Sequence, residues 1–191
     1  RKVARGRSAP RIHTYLIASQ KDSQPVSRFQ ILASTLGLPP ASTYDHFALH
    51  EDGCQARQAL ISIIDSATST LDLCTFVLAR DVLGQEIALH LIQKAQQGVR
   101  VRLMIDGIGV YLGGHPDLRS LTTAGVRVAK FVSPFASPLP GRTNLRNHRK
   151  MVIADSDRAW LGGRNLAAEY FEGDPAFPNK KTPWIDLSFE L

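Results

Sequence analysis

A histidine, a lysine, an aspartate, two adjacent glycines and an asparagine stand at fixed offsets in RNHRKMVIADSDRAWLGGRN, residues 146–165. Side chains alternate across a strand, so His148 and Lys150 share one face while Met151 and Ile153 take the opposite one, read as core. An imidazole with an ordinary pKa near 6.5 is largely neutral at pH 7 and can attack phosphorus. Lys150 beside it can neutralise non-bridging oxygens as a point charge. Asp155-Ser156-Asp157 has the chemistry of a turn, after which 159–161 return as the paired strand of a hairpin. Gly162-Gly163 lets the backbone approach a bound group closely. Asn165 stands where a helix over 166–171 needs its cap, and can donate to the same oxygens at a helix start that favours anions. The set suits a phosphodiester, with Lys150, Gly163 and Asn165 around the phosphate. No further histidine, cysteine or carboxylate lies at metal-ligand spacing, so the expected chemistry needs neither metal nor cofactor.

Each residue alone has a plainer reading: a structural histidine, a surface lysine, a turn aspartate, a helix cap. Six specified residues at fixed offsets arise by chance on the order of once in ten million windows, which favours the joint reading.

The segments that must hold this motif read as alternating helix and strand, the pattern of an α/β domain with a mixed sheet flanked by helices. Residues 55–67 carry Ala59, Leu60, Ile63, Ile64 and Ala67 at helical spacing, and 71–78 follow as a short apolar strand. A second helix over 81–97 presents Ile87, Leu91 and Ala95 on one stripe and stops at Gly98. In VRVRLMID, 99–106, strict alternation puts Val99, Val101, Leu103 and Ile105 on one face. A glycine-rich loop, a short helix at 117–124 and a strand at 126–131 complete the unit.

Residues 133–147 hold three prolines and a glycine, so they form a loop. Its Arg142 and Arg146 are either solvated or substrate-facing, and their place directly before the motif favours the second. Glu169 lies near Asn165 or is merely solvated. Asp106, at a strand end before Gly107, faces the site or, the favoured reading, caps a helix or fixes a loop. Trp184 and Asp186 shape a rim, although the favoured reading packs the strand tryptophan on the core. His13, His46, His50, His90 and His115 show no partner pattern.

With 191 residues, 43% of them hydrophobic and 21% charged, the chain can bury a real core. Residues 1–45 read as a basic and polar arm with one short helix near 28–36, and 46–191 as the domain. The net charge of +6 favours anionic partners or simply gives solubility. Cys54 and Cys74 read as buried, inert thiols rather than a disulfide framework. No apolar run approaches the roughly 20 residues that span a bilayer.

His148-Arg149-Lys150, Asp155 and Gly162-Gly163-Arg164-Asn165 resemble the signature of the phospholipase D superfamily: H-x-K, four residues, D, six residues, G-G-x-N. The flanks RNHRKMVIAD and GGRNLAAEYF look most like the first half of bacterial cardiolipin synthase-like enzymes, and PWIDLSFEL, 183–191, resembles the W-x-D strand that closes that half. The resemblance implies an α/β sandwich with a mixed central sheet. It implies a phosphodiesterase or phosphatidyltransferase working through a phosphohistidine, with His148 as nucleophile, Lys150 and Asn165 on the phosphate, and Asp155 supporting the site through hydrogen bonds. Such a site needs two motifs across a pseudo-two-fold axis. A second half is therefore expected in the same full-length chain, or a homodimer assembles the site. The expected partners are a phospholipid substrate and an anionic membrane surface, with peripheral membrane association in a bacterial cell. The alternatives are a metal-independent dimeric nuclease acting on nucleic acid, and a half-site that binds anionic lipid or phosphate through Arg142, Arg146 and Arg149 without chemistry.

Overall fold

Among the described residues, seven strands, numbered along the chain with the ranges given below, form one sheet in the order β1-β7-β6-β5-β2-β3-β4. The computed structural model describes residues 28–38, 46–132, 145–175 and 183–191. Along the chain these hold α1 (Arg28–Thr35), β1 (Ala48–His50), α2 (Gly53–Ser66), β2 (Thr70–Thr75), α3 (Val82–Gln96), β3 (Arg100–Asp106), α4 (Gly107–Leu112), α5 (Leu118–Thr123), β4 (Arg127–Phe131), β5 (Met151–Ala154), β6 (Arg158–Gly162) and β7 (Ser188–Glu190). Strands β2, β3 and β4 are parallel, while β5, β6, β7 and β1 pair antiparallel. Parallel neighbours need crossovers, which α3 and then α4 with α5 supply.

Two helices build most of the core on one face of the sheet. Asp52 caps α2 by accepting from the Gln55 N–H, and the helix buries Ala56, Ala59, Leu60, Ile63 and Ile64. Asp81 caps α3 in the same way, through the Gly84 N–H, and Ile87 and Leu91 on it are fully buried. They meet Leu71, Leu73, Val101, Leu103, Ile105, Val152, Ala154 and Trp160 of the strands. Truncating Ile87 or Leu91 to alanine would cost about 2–5 kcal/mol.

The expected face assignment on the motif strand is reversed. Val152 and Ala154 are buried, whereas Met151 and Ile153 are half-buried on the opposite face. MVIA is apolar on both faces, so its composition does not mark the inner one. The register does, by pairing Ala154 with Leu71 and Val152 with Leu73, both buried under the helices. Lys150 thus shares parity with the core side of β5.

The ends of β1, β2, β3, β4 and β6 and the starts of β5 and β7 lie at one edge of the sheet, as the pairings require. Residues 146–150 and 162–165 are therefore brought to that edge. The order changes there from parallel to antiparallel at β2, where connections diverge and leave room for a ligand. Strand β2 ends at Thr75 rather than at residue 78, because 77–79 leave the sheet to pair with Leu166. Both cysteines are half-buried rather than fully enclosed.

Candidate active site

Residues 145–150 run without regular structure into β5 and carry the motif's first half. The Lys150 ammonium lies 2.8 Å from His148 Nδ1 and 3.1 Å from Nε2, and donates to the His148 carbonyl at 2.9 Å. Phe76 supports both side chains. Its ring centroid is 4.7 Å from that of His148 and 5.6 Å from the Lys150 Nζ. The contrast in exposure is useful chemically: His148 is exposed, whereas Lys150 is only 6% exposed. A reactant can reach the imidazole while the cation behind it is held in place.

Burial first, and then the neighbouring Lys150 charge, hold the His148 imidazole below its ordinary pKa of 6.5, with Asp106 opposing them. The ring is thus neutral at pH 7 and its lone pair is available. Burial also lowers the Lys150 ammonium, against the pull of Asp186 and Cys74. A phosphate arriving beside it would favour the charged form.

Lys150 lies opposite the glycine pair, since the Gly162 N–H donates to the Lys150 carbonyl at 3.3 Å. A Cβ on Gly163 would sit 2.2 Å from Asp186 Oδ1, so glycine is needed here for the approach of that carboxylate. The Asp186 side chain thus belongs to the site, and the neighbouring Trp184 is exposed and stacks on Tyr170 with centroids 6.1 Å apart. Trp184 is a rim residue, not core.

Asn165 is buried, and its Oδ1 has no hydrogen-bond partner among the described residues. An unsatisfied buried acceptor costs about 1–3 kcal/mol, and only a donor, not a phosphate oxygen, would satisfy it. Its role as a helix cap is corrected, however. The Leu166 N–H donates to the Val77 carbonyl and the Ala79 N–H to the Leu166 carbonyl, so the chain pairs as an extended segment. Only a single 3₁₀ turn, Ala168–Tyr170, follows, and Asp81 rather than Asn165 takes the Ala168 N–H. The expected helix dipole is therefore missing from the site.

Asp155 stands at the other end of β5 from His148, just past Ala154. Its carboxylate accepts from the Thr68 N–H and hydroxyl and from the Ser69 and Thr70 N–H groups, all at 2.7–2.8 Å. These four bonds hold it well below the usual carboxylate range. Asp155 and Ser156, with φ of 52° and 66°, turn the hairpin. The placement of Asp155 in the catalytic set is thus corrected: it pins the start of β2 to the hairpin and touches no reacting group.

Of the other expected residues, Arg142 lies outside the described ones. Arg146 is half-buried and turned inward, donating to the Val132 carbonyl at 3.1 Å and to Asp106 at 3.5 Å. Glu169 is exposed, and its backbone carbonyl accepts from the Trp184 N–H. Two residues without a role in the sequence pattern matter more. Arg164, 1% exposed, donates to the carbonyls of Tyr170, His50 and Glu51 and to the Ser188 hydroxyl, bracing the loop between Gly163 and Asn165. Asn147 is buried and fixes the peptides around His148. The only signal for either was its place inside the motif. Among the described residues no three His, Cys, Asp or Glu side chains gather as a metal ion would require.

A neutral, exposed imidazole set against a buried cation at one sheet edge defines a site suited to an anionic, electrophilic group such as a phosphodiester. The family model described as "Cardiolipin synthase, PLD-like domain" matches residues 60–175, and the chain belongs to that phospholipase D-like family. A cardiolipin synthase of Halalkalibacterium halodurans is 33% identical over 147 residues, covering 76% of this chain and 29% of the relative. The major cardiolipin synthase of Bacillus subtilis is 36% identical over 126 residues, 66% of this chain and 26% of the relative. The chain thus spans under a third of the length of these relatives. Among solved structures, a phosphatidylserine synthase from Haemophilus influenzae superposes with a TM-score of 0.56 at 14% identity, covering 79% of this chain and 34% of that one. NucT from Helicobacter pylori superposes with a TM-score of 0.51 at 18% identity, covering 75% and 83%. At these identities the likeness is one of fold, and it matches the mixed sheet with flanking helices.

Proposed function

We propose that this chain carries one half of a phosphatidyl-transfer or phosphodiester-hydrolysis site acting on phospholipids through a phosphohistidine at His148. The observation that carries the reading is the neutral, exposed imidazole set against the buried Lys150. In the first step His148 attacks phosphorus: a P–N bond forms, the P–O bond to the leaving alcohol breaks, and that oxygen takes a proton from the histidine of a second motif. In the second step this histidine takes a proton from an incoming alcohol or water, whose oxygen displaces His148. Lys150 and the Asn165 amide N–H groups hold the non-bridging oxygens as charge develops on them. The second motif comes from elsewhere in a full-length protein or from another copy of the chain. Substrate in a bilayer implies work at an anionic membrane surface, although no helix among the described residues is long and apolar enough to cross a membrane.

The test is turnover of phosphatidylglycerol vesicles, without added metal, by the full-length protein and by His148→Ala. A loss of roughly ten-thousand-fold is expected. Turnover that survives the substitution would refute the proposal. The presence of one motif in this chain gives a second reading, a nuclease whose dimer brings two copies of His148 together. Metal-independent cleavage of DNA by a dimer that leaves the vesicles intact would select it.

A further inference from the structure

We propose that Asp106 is a positioning residue for His148, acting through Asn147 and through its own buried charge. The catalytic consequence rests on the phosphotransfer reading above; the arrangement itself does not.

Asp106 closes β3 and is 0% exposed, a place where a carboxylate is costly unless its oxygens are well supplied with donors. One donor is local: the Ile108 N–H, at 2.9 Å, makes Asp106 the cap of α4. A cap needs no more than that. Two further donors arrive from about 40 residues away, the Asn147 N–H at 3.0 Å on Oδ2 and the Arg146 guanidinium at 3.5 Å on Oδ1. The carboxylate therefore ties the lead-in to the motif onto the end of the central sheet.

Asn147 passes this restraint to both sides of His148. Its own N–H is held by Asp106, and its Oδ1 accepts from the Arg149 N–H at 3.2 Å, so the 146–147 and 148–149 peptides, which bracket the Asn147–His148 pair, are pinned. Its Nδ2 donates to Cys74 Sγ at 3.0 Å and Met104 Sδ at 3.3 Å, which anchors the side chain on β2 and β3. His148 is left with only its own side-chain torsions, and its ring packs against Phe76. An exposed side chain on a fixed backbone is preorganised for attack.

The charge adds a second effect. The groups acting on His148 are Lys150 on its own segment, Phe76 beyond β2 and Asp106 from β3, with Arg146 partly offsetting Asp106. Asp106 alone among them favours the cationic ring. As the P–N bond forms, the imidazole gains positive charge, and a buried carboxylate behind it stabilises that change.

The test is an NMR titration of His148 in the purified protein, run alongside vesicle turnover. Asp106→Asn keeps a capping side chain and an acceptor but removes the charge. The His148 midpoint is expected to fall, with kcat dropping about ten- to a hundred-fold and KM nearly unchanged, as for other residues that orient a reacting group. A midpoint that stays put would overturn the proposal. Asn147→Ala leaves the buried charge in place, so it should lower kcat about tenfold with the midpoint unmoved, and it carries the test if Asp106→Asn does not fold. Unaltered kcat in Asn147→Ala would overturn the relay through that residue. A shifted midpoint in Asp106→Asn, in a protein inert on every phosphodiester, would sustain the arrangement and refute the phosphotransfer reading instead.

Discussion

The two ends of strand β5 hold residues of one sequence motif in opposite physical states. At the end facing β2's entry, Asp155 has four donors on one carboxylate, and nothing about it invites a ligand. At the other end His148 is exposed and neutral, Lys150 is buried beside it, and the Asn165 amide oxygen has no partner among the described residues. Saturated polar groups specify a fold, whereas an exposed imidazole beside a buried cation can meet a reactant. A motif recognised as one unit thus contains a scaffold part and a chemical part, separated by the length of a strand.

Substitutions that touch only one end would sharpen this contrast. Lys150→Met keeps the length of the side chain and removes its charge, so kcat/KM should fall about a hundred- to a thousand-fold with Tm nearly unchanged. A large loss of Tm instead would make Lys150 a structural residue. Gly163→Ala sets a methyl group against the Asp186 carboxylate and must displace it, so turnover should drop about tenfold in the same vesicle assay. Asp155→Ala should behave in the opposite way, lowering Tm by several degrees in calorimetry while activity per folded molecule stays within about twofold. Comparable losses of activity from Asp155→Ala and Lys150→Met would break the comparison outright.

The pH dependence separates the two ends again. Because the His148 value in the folded protein is lowered, the free-enzyme acid limb of kcat/KM should lie below the ordinary 6.5. The unfolded chain binds that proton more readily, so His148 also contributes a loss of stability as pH falls below 6.5. Asp155 acts at lower pH. Its stabilisation is complete above the ordinary carboxylate value of 3.8 and is lost as acid titrates the folded group, still lower. Removing the carboxylate should flatten the stability profile below pH 4 and leave the acid limb of kcat/KM where it was.

Much of this was legible in the sequence, because periodic patterns report burial directly. Ala59, Leu60, Ile63 and Ile64 mark α2, and the alternation of Val101, Leu103 and Ile105 marks β3, since one face of each element meets the core. His148, Lys150 and Asn165 were legible by type and spacing. Where the sequence misled, tertiary pairing had decided. The inner face of MVIA is set by register with β2, not by its own composition. The helix expected after Asn165 gives way to pairing between Leu166 and the 77–79 segment. Asp155 reads as a motif carboxylate until the hairpin places it over the N–H groups of 68–70. Asn147 and Asp106 are 41 residues apart, and no local pattern joins them.

The most direct test of the division is to trap the intermediate. The full-length protein would be quenched in acid-free denaturant during turnover of phosphatidylglycerol vesicles, digested, and its peptides mapped by mass spectrometry for a phosphatidyl adduct. A phosphoramidate on His148, absent in Lys150→Met and retained in Asp155→Ala, is the predicted result. An adduct on any other residue, or one that vanishes in Asp155→Ala while the protein remains folded, would contradict the account.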